Sequence, residues 1–577
     1  MTRRALSLVF ALALAHAAAV SAWLSKDRGA PEPDEARTLL AAHRVADAIS
    51  HPDVGLVRRV ASAHPDGEPP LLAAAAAVGE LAAPGNPDAP RHAPAAFIAA
   101  LAFATFALAR RAASLVGARC ASATGLVAAF LATSCVLVAN EGHRLLPHVP
   151  IAAGSALVAA SWIASDGFAR RRASILFGAA SAVAILSSEW TALALAAPAI
   201  DMVLVAGSVG RARGRLANVA LALAVAAIAV APFFALRAHA PEHVEEATQR
   251  VWFHVLAGTM TEKLGVPLVA FGVAGALASA VRVWRARSAT PAAWPQAARL
   301  VAFGLVPIGL AGASWVPPSY AAAALIPVLA TFAAAGLATV APAPRVLLTS
   351  AALASSALAF FASCFDVPSG DGLLARVARE LTSRRDPPDP RDRDPMSVLR
   401  AIDRDRAGVP ADVCVIAPQE EVSGALFEAL VAAYFEGIRA TAFPDPDAEP
   451  MPLLPLPYLR ATHLLVARRR GGTDLDEGRV LPCNAGMSRF VASEPPAMRA
   501  HFRRVHRAES REGDAPSDRD LVFEVFRRVA PTDDAEIAEL IATGTTFARI
   551  TRETWVEIAY AQFLAGRAVR AREILDA

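Results

Sequence analysis

Two neighbouring carboxylates, Asp34 and Glu35, stand in the run Glu32-Pro33-Asp34-Glu35-Ala36-Arg37. Leu39, Leu40, Val45, Ala46 and Ile49 follow near helical spacing, so 35–50 reads as an amphipathic helix lying in a membrane interface. A carboxylate held there can take a proton from an acceptor hydroxyl or amine. The same pair also suits an ordinary helix N-terminus, where acids meet the positive end of the helix dipole. Both readings stay open. A second cluster, Asn140-Glu141-Gly142-His143-Arg144, closes an apolar run and sets an acid three residues from a guanidinium. His239 and His243 are four apart, with Glu246 and His254 nearby. That spacing can put two metal ligands on one helix face, but a solvated loop explains it as well. Asp201 interrupts an apolar stretch and reads as a packing or snorkelling residue. The five cysteines form no CxxC or Cys/His pattern, and a Cys414–Cys483 disulfide is conceivable only outside the cytoplasm.

The elements that must position these residues are apolar helices. Hydrophobic residues make up 55% of the 577-residue chain and charged residues 19%, with a mean hydropathy of +0.40. Ordinary globular chains are about 45–50% apolar. The net charge of +3 gives no case for nucleic-acid binding. Acids are unevenly placed: 35 of 53 lie after residue 363, so a long apolar part precedes a polar one. Eleven spans are predicted, at 5–24, 94–109, 120–139, 146–165, 173–188, 190–206, 216–236, 264–281, 298–313, 319–340 and 346–363. Arg clusters mark every second connection: Arg3/Arg4, Arg110/Arg111/Arg119, Arg170–Arg172, Arg211/Arg213/Arg215, Arg282/Arg285/Arg287 and Arg345. The positive-inside rule makes these ends cytoplasmic and puts residues after 363 outside. The apolar run 71–83 is too short to cross and is read as interfacial or re-entrant on the outer face. Residues 1–24 are read as an uncleaved anchor in preference to a signal peptide. The acids of the apolar part then gather in outer connections, which locates any chemistry at the outer membrane face.

The polar part opens with a linker rich in Pro, Arg and Asp at 384–395, which cannot pack a core. Strands are predicted at 413–417 and 463–467 with a helix at 420–437 between them. An antiparallel pair is predicted at 505–508 and 521–528. The fold class expected is an α-helical polytopic membrane protein of about eleven spans with a C-terminal extracytoplasmic α/β domain. Its divisions are a transmembrane domain at 1–363, a linker at 364–400, the α/β domain at 401–530 and a helical cap at 531–577. The cap is read from Trp555, Ala559, Gly566, Ala568 and Ala571, which resemble one tetratricopeptide-type helix pair.

Four features together resemble a known family. They are the Asp34-Glu35 pair after the first span and the Pro69-Pro70-Leu71 helix start. With them come the Ala132-Thr133-Ser134…Glu141…Arg144 turn and the late span carrying Tyr320 and Pro327. The pattern over residues 1–363 resembles the GT-C class of membrane glycosyltransferases. Its nearest look is the RgtA/B/C/D-like and protein O-mannosyltransferase-like group (glycosyltransferase family 39 type). That resemblance implies an inverting enzyme that takes a sugar from a polyprenyl-phosphate donor and passes it to an envelope lipid, glycan or protein. It places Asp34 at the family's catalytic acid with Glu35 beside it. Glu141 and Arg144 match the acid and Arg of the second outer loop, given one extra residue between them. Tyr320 matches the late-span tyrosine, although Ser319 stands where relatives often carry Arg.

The chemistry needs little more than these groups. The leaving group is already a phosphate anion, so a cation must hold it, a carboxylate must deprotonate the acceptor, and water must be kept out. Asp34 is the expected base, and Arg144 or Lys263 the expected phosphate cation. No cofactor is called for, a divalent metal being left open, and the partners are the lipid-linked sugar and its acceptor. The expected location is the bacterial inner membrane, multi-pass, with a cytoplasmic N-terminus. Two other readings are a non-catalytic envelope-assembly scaffold and a lipid-linked glycan transporter. The transporter fits poorly, because intramembrane ionisable residues are sparse.

Overall fold

A computed structural model of the protein describes residues 3–27, 31, 33–64, 68–84, 86, 88–115, 117, 120–207, 213–237, 253–286, 294–313, 318–365, 395–417, 424–442, 456–469, 491, 494–510, 521–531 and 533. The chain divides into two compact units. The first holds residues 1–26 and 44–388, the second 27–43 and 389–577.

The first unit is helical throughout its described residues. Its helices are α1 (Arg3–Leu24), the later half of α2 (Pro33–Ser50), α3 (Leu56–Ala61), α4 (Leu71–Ala82), α5 (Ala93–Leu115), α6 (Ala121–Thr133), α7 (Val136–Glu141) and α8 (His148–Ser165). These are followed by α9 (Arg171–Ser187), α10 (Ala192–Gly207), α11 (Arg213–Arg237), α12 (Phe253–Leu264), α13 (Val266–Ala286), α14 (Trp294–Ala313), α15 (Pro318–Thr339) and α16 (Pro342–Cys364). Single 3-10 turns, Pro90–His92 and Glu189–Thr191, lead into α5 and α10. Six of the described helices are long and apolar enough to cross a membrane: α1, the Pro90–Leu115 stretch, α8, α11, α15 and α16. The bent pair Gly258–Leu264 and Val266–Arg282 makes a seventh if counted as one span. The other predicted spans fall on helices that are shorter or less uniformly apolar.

Two local outcomes correct the sequence reading, and a third agrees with it. The span expected at 120–139 is two helices, because Cys135 takes an extended conformation (φ −75°, ψ 158°) and stops the helical run after Thr133. The loop expected at 237–263 contains α12, joined to α13 through Gly265 at φ +83° with a 117° bend. His239, His243 and Glu246 lie outside the described residues. Run 71–83 forms α4, whose 12 residues span about 18 Å, short of the roughly 30 Å apolar core of a bilayer.

The core of the first unit is built on α15, buried along almost its whole length from Ala321 to Leu337. It packs against α13, α8, α5 and α6. Bulk is supplied by Trp162, Phe168, Phe177, Phe303 and Phe332, set among alanines. Without a hydrophobic drive between helices inside lipid, close backbone approach through small residues does much of the holding. At the α13–α15 crossing, a Cβ on Gly336 would lie 2.3 Å from the Gly275 Cα, so only glycine fits.

In the second unit a five-stranded sheet runs in the order β2-β1-β3-β5-β4. Its strands are β1 (Ala411–Ile416), β2 (Ile438–Ala442), β3 (His463–Arg469), β4 (Phe502–Ser510) and β5 (Leu521–Arg528). β1 pairs parallel with β2 and β3, whereas β5 pairs antiparallel with β3 and β4. The parallel part has a crossover helix, Gly424–Tyr434, as such pairs require. One face buries Val413, Val415, Leu465, Phe523 and Val525 under Val398, Leu399 and Ile402 of the helix Pro395–Asp405. Ala36, from the first turn of α2, joins this same core. Cys414 is a free thiol buried on β1, so the conceivable disulfide is not formed; Cys483 and the predicted helical cap beyond residue 533 lie outside the described residues.

Candidate functional site

The first unit has two chemically distinct ends. Followed in chain order, the long helices run back and forth between them, which brings the described Arg clusters to one end. There Arg299 donates through Nε to Asp201 Oδ2 at 3.0 Å and lies 3.7 Å from Asp166. Trp162 Nε1 also donates to Asp201 Oδ2, at 3.0 Å. Arg282 reaches the Thr339 carbonyl at the same end. Asp201 is therefore a half-buried ion-pair partner joining α8, α10 and α14, the packing role of the two expected.

The opposite end gathers a different set. α7 is short, and its last residue, Glu141, is 4% exposed. Tightness of the following turn comes from Gly142, whose amide donates to Val138 O at 2.9 Å, and from Arg144 N donating to Glu141 O at 3.3 Å. His143 is buried and stacks on Trp23 of α1, with ring centroids 3.6 Å apart and planes at 21°. Arg91, from the 3-10 turn before α5, puts its guanidinium 5.7 Å from the same indole and 3.5 Å from Asp88. On the far side of the turn, His148 starts α8 and meets Tyr320 at 5.0 Å. Tyr320 in turn lies parallel to Trp190 at 6.1 Å. Lys263 is half-buried at the close of α12, which packs on α7 and α15 just before the bend into α13. A cavity of about 10 Å³ under the Trp23–His143 stack is lined by His16, Val138, Gly142, Phe360 and Cys364 among others.

Of the predicted site residues, Glu141, Arg144, Lys263 and Tyr320 thus share one end of the first unit. Asp34 and Glu35 belong to the second unit and open α2 there. Asp34 is exposed and pairs with Arg37 at 3.2 Å, and its carbonyl accepts from Thr38. Glu35 is the buried member of the pair, 2% exposed. Sequence reasoning did not pick out Trp23, Arg91, His148 or Trp190. A Trp or His near a span end is common at membrane interfaces, so nothing in its type marks it. Among the described residues no group of three or more His, Cys, Asp or Glu is arranged to hold a metal.

This fold has counterparts among solved structures. The apo structure of ArnT from Cupriavidus metallidurans aligns at a TM-score of 0.51 and 15% identity, covering 90% of this chain and 97% of that one. Bound to undecaprenyl phosphate, the same protein aligns at 0.49 and 14% identity, covering 91% and 98%. The arabinofuranosyltransferase AftD from Mycobacteria aligns at 0.57 and 16% identity over 92% of this chain but only 40% of that longer one. No protein-family model matches the chain, and no curated protein matches it in sequence. The protein has the fold of the GT-C class of membrane glycosyltransferases, a bundle of membrane helices followed by a small C-terminal sheet.

Proposed function

We propose that this protein is an integral membrane glycosyltransferase. It moves a sugar from a polyprenyl-phosphate donor to an envelope lipid, glycan or protein on the extracytoplasmic face of the bacterial inner membrane. The observation that carries this reading is the segregation of charge in a GT-C-type bundle. Arginine-rich connections occupy one end, while Glu141, Asp88, Arg91, Arg144, Lys263 and a cluster of aromatic rings occupy the other. The positive-inside rule orients the arginine end to the cytoplasm, so the Glu141 end faces out. In this reading residues 1–363 form the transferase domain, 364–400 a linker, 401–530 an α/β domain and 531–577 a cap, the last two also outside.

The reaction is an inverting displacement. Asp34, supported by Glu35, takes the proton of the acceptor O–H or N–H, and the acceptor atom attacks the anomeric carbon. The bond from that carbon to the phosphate oxygen breaks, and the electron pair leaves on the polyprenyl phosphate. Arg144 and Lys263 hold that phosphate: Arg through a flat two-pronged donor set, Lys as a point charge. Glu141 and Tyr320 are taken as further donor-binding residues at the Arg144 end of the first unit. A general base typically contributes about 10²–10⁴-fold. Purified protein in lipid nanodiscs, given polyprenyl-phosphate sugars, should therefore transfer sugar, and Asp34→Asn should lose about that factor in kcat with normal expression. Arg144→Ala should chiefly raise KM for the lipid. Full turnover by Asp34→Asn would remove Asp34 as base.

The Asp34–Arg37 pair at the start of α2 favours a second reading, in which Asp34 only stabilises a helix N-terminus and the protein is a scaffold. Asn caps helices as well as Asp does. On that reading no polyprenyl-phosphate sugar is consumed by wild type or variant.

A further inference from the structure

We propose that Trp23 and Arg91 are positioning residues that fix the Glu141–Arg144 turn for phosphate binding. This rests on the reading above in one respect, that Arg144 holds the donor phosphate. Arg144 sits on irregular backbone between the six-residue α7, which Glu141 closes, and the long α8. Backbone hydrogen bonds of 2.9 and 3.3 Å would by themselves allow such a turn to tilt. What packs against it is the Trp23 indole, with the His143 imidazole stacked on it at 3.6 Å and the Arg91 guanidinium 5.7 Å from its centroid. All three are nearly excluded from solvent, at 4%, 2% and 5% exposure.

His143 lies between Gly142 and Arg144, so holding its side chain restrains the backbone from which Arg144 projects. Asp88, 3.5 Å away, offsets the charge of the Arg91 guanidinium in this buried place. A guanidinium is held well by an indole face, and Trp is the strongest such partner. The turn is also closed from below. A Cβ on Gly142 would lie 2.4 Å from Val138 O and 3.1 Å from the Ile98 side chain. Together these contacts link α1, the 3-10 turn before α5, and the turn after α7. A displacement of about 1 Å in a group that holds a reacting phosphate costs on the order of 100-fold in rate. Trp23 and Arg91 act through the turn, without touching the lipid themselves.

The test uses full-length protein in nanodiscs with undecaprenyl phosphate as the probe. Trp23→Leu removes the stack, Trp23→Phe keeps an aromatic face, and Arg91→Gln removes the cation while keeping bulk. Trp23→Leu should weaken binding about tenfold or more and Trp23→Phe by no more than about twofold. In an Arg144→Ala background Trp23→Leu should add nothing, because residues acting through one another are not additive. Losses that simply add, or equal losses for Leu and Phe, would overturn the proposal. Amide exchange over residues 141–145 decides independently of any lipid. It should rise in Trp23→Leu and Arg91→Gln but not in Trp23→Phe, and unchanged exchange would refute the positioning role. Wild type that fails to bind the lipid would defeat the phosphate reading alone, and the exchange data would still judge the stack. If Trp23→Leu fails to fold, Arg91→Gln carries both measurements.

Discussion

At the scale of single residues, burial and pairing decide what each polar group can do. Asp166, Gly167 and Phe168 all take left-handed backbone, at φ 54°, 62° and 62°. The Arg299 guanidinium closes over Gly167 so tightly that a Cβ there would lie 2.1 Å from Nη2. Asn218 of α11 donates to the Phe168 carbonyl at 2.8 Å, so the strained turn is fixed from two sides. In the second unit Glu524 is 1% exposed and would be costly there without partners. Arg468 and Arg504 reach it at 3.0 and 2.8 Å. Cys414 has the opposite environment: burial on an apolar face pushes its thiol well above the ordinary range. The thiol rather than the thiolate is then present at any working pH, and the thiol reacts poorly. Cys414 should therefore resist maleimide at pH 7.5 while the exposed Cys120 is modified. Denaturant that opens the sheet should expose it, as site-resolved mass spectrometry would show. Rapid native labelling of Cys414 would contradict the described sheet core.

Elements are fixed by where backbones may approach. α13 and α15 cross with Gly275 and Gly336 in direct contact, since a Cβ on Gly275 would lie 2.1 Å from the Phe332 carbonyl. The obstacle is backbone, which cannot rotate away as a side chain can. Overpacking a well-filled core costs typically about 1–3 kcal/mol, and Gly336→Val should fall at the upper end. Gly214, near the start of α11, has nothing within 4 Å of a built Cβ. Gly214→Ala should leave stability unchanged or raise it by up to about 1 kcal/mol. Thermal unfolding in detergent compares the two directly, and equal melting points for both variants would contradict the crossing. The break between α6 and α7 belongs to this scale as well. It converts one apolar run into a helix plus a short buried turn of helix, and so brings Glu141 to the mouth of the bundle.

For the whole molecule, the decisive property is which end faces which compartment. Following α16 from Arg345 to Cys364 takes the chain from the arginine end to the Glu141 end, where the Cys364 thiol donates to Ala139 O at 3.2 Å. α16 therefore finishes at the same end that holds Glu141, Arg144 and Tyr320. With the arginine end cytoplasmic, a reporter active only outside the cytoplasm should work when fused after Ala577. A reporter active only in the cytoplasm should not. The reverse outcome would invert the bundle and place the candidate site on the cytoplasmic side.

Hydropathy and arginine spacing by themselves determined that the chain is a multi-pass helical protein with a polar C-terminal part. The burial of about twenty apolar residues per span leaves few alternatives to a membrane helix. The strand pattern near 413–417, 463–467 and 521–528 was legible for a related reason: short β-rich apolar runs must be buried in a sheet. The short strand Ile438–Ala442 was not, because Arg439 and Thr441 interrupt its apolar character. Candidate residues such as Glu141 and Arg144 could be named from type and spacing, yet their surroundings could not. That α12 is a helix, that Arg299 reaches Asp201 from 98 positions away, and that Trp23, Arg91 and His143 form one cluster were decided only in three dimensions. These contacts join segments far apart in the chain, and no local pattern records them. They are set by which helix surfaces can approach, chiefly through glycine and alanine, and that is a property of the packed bundle.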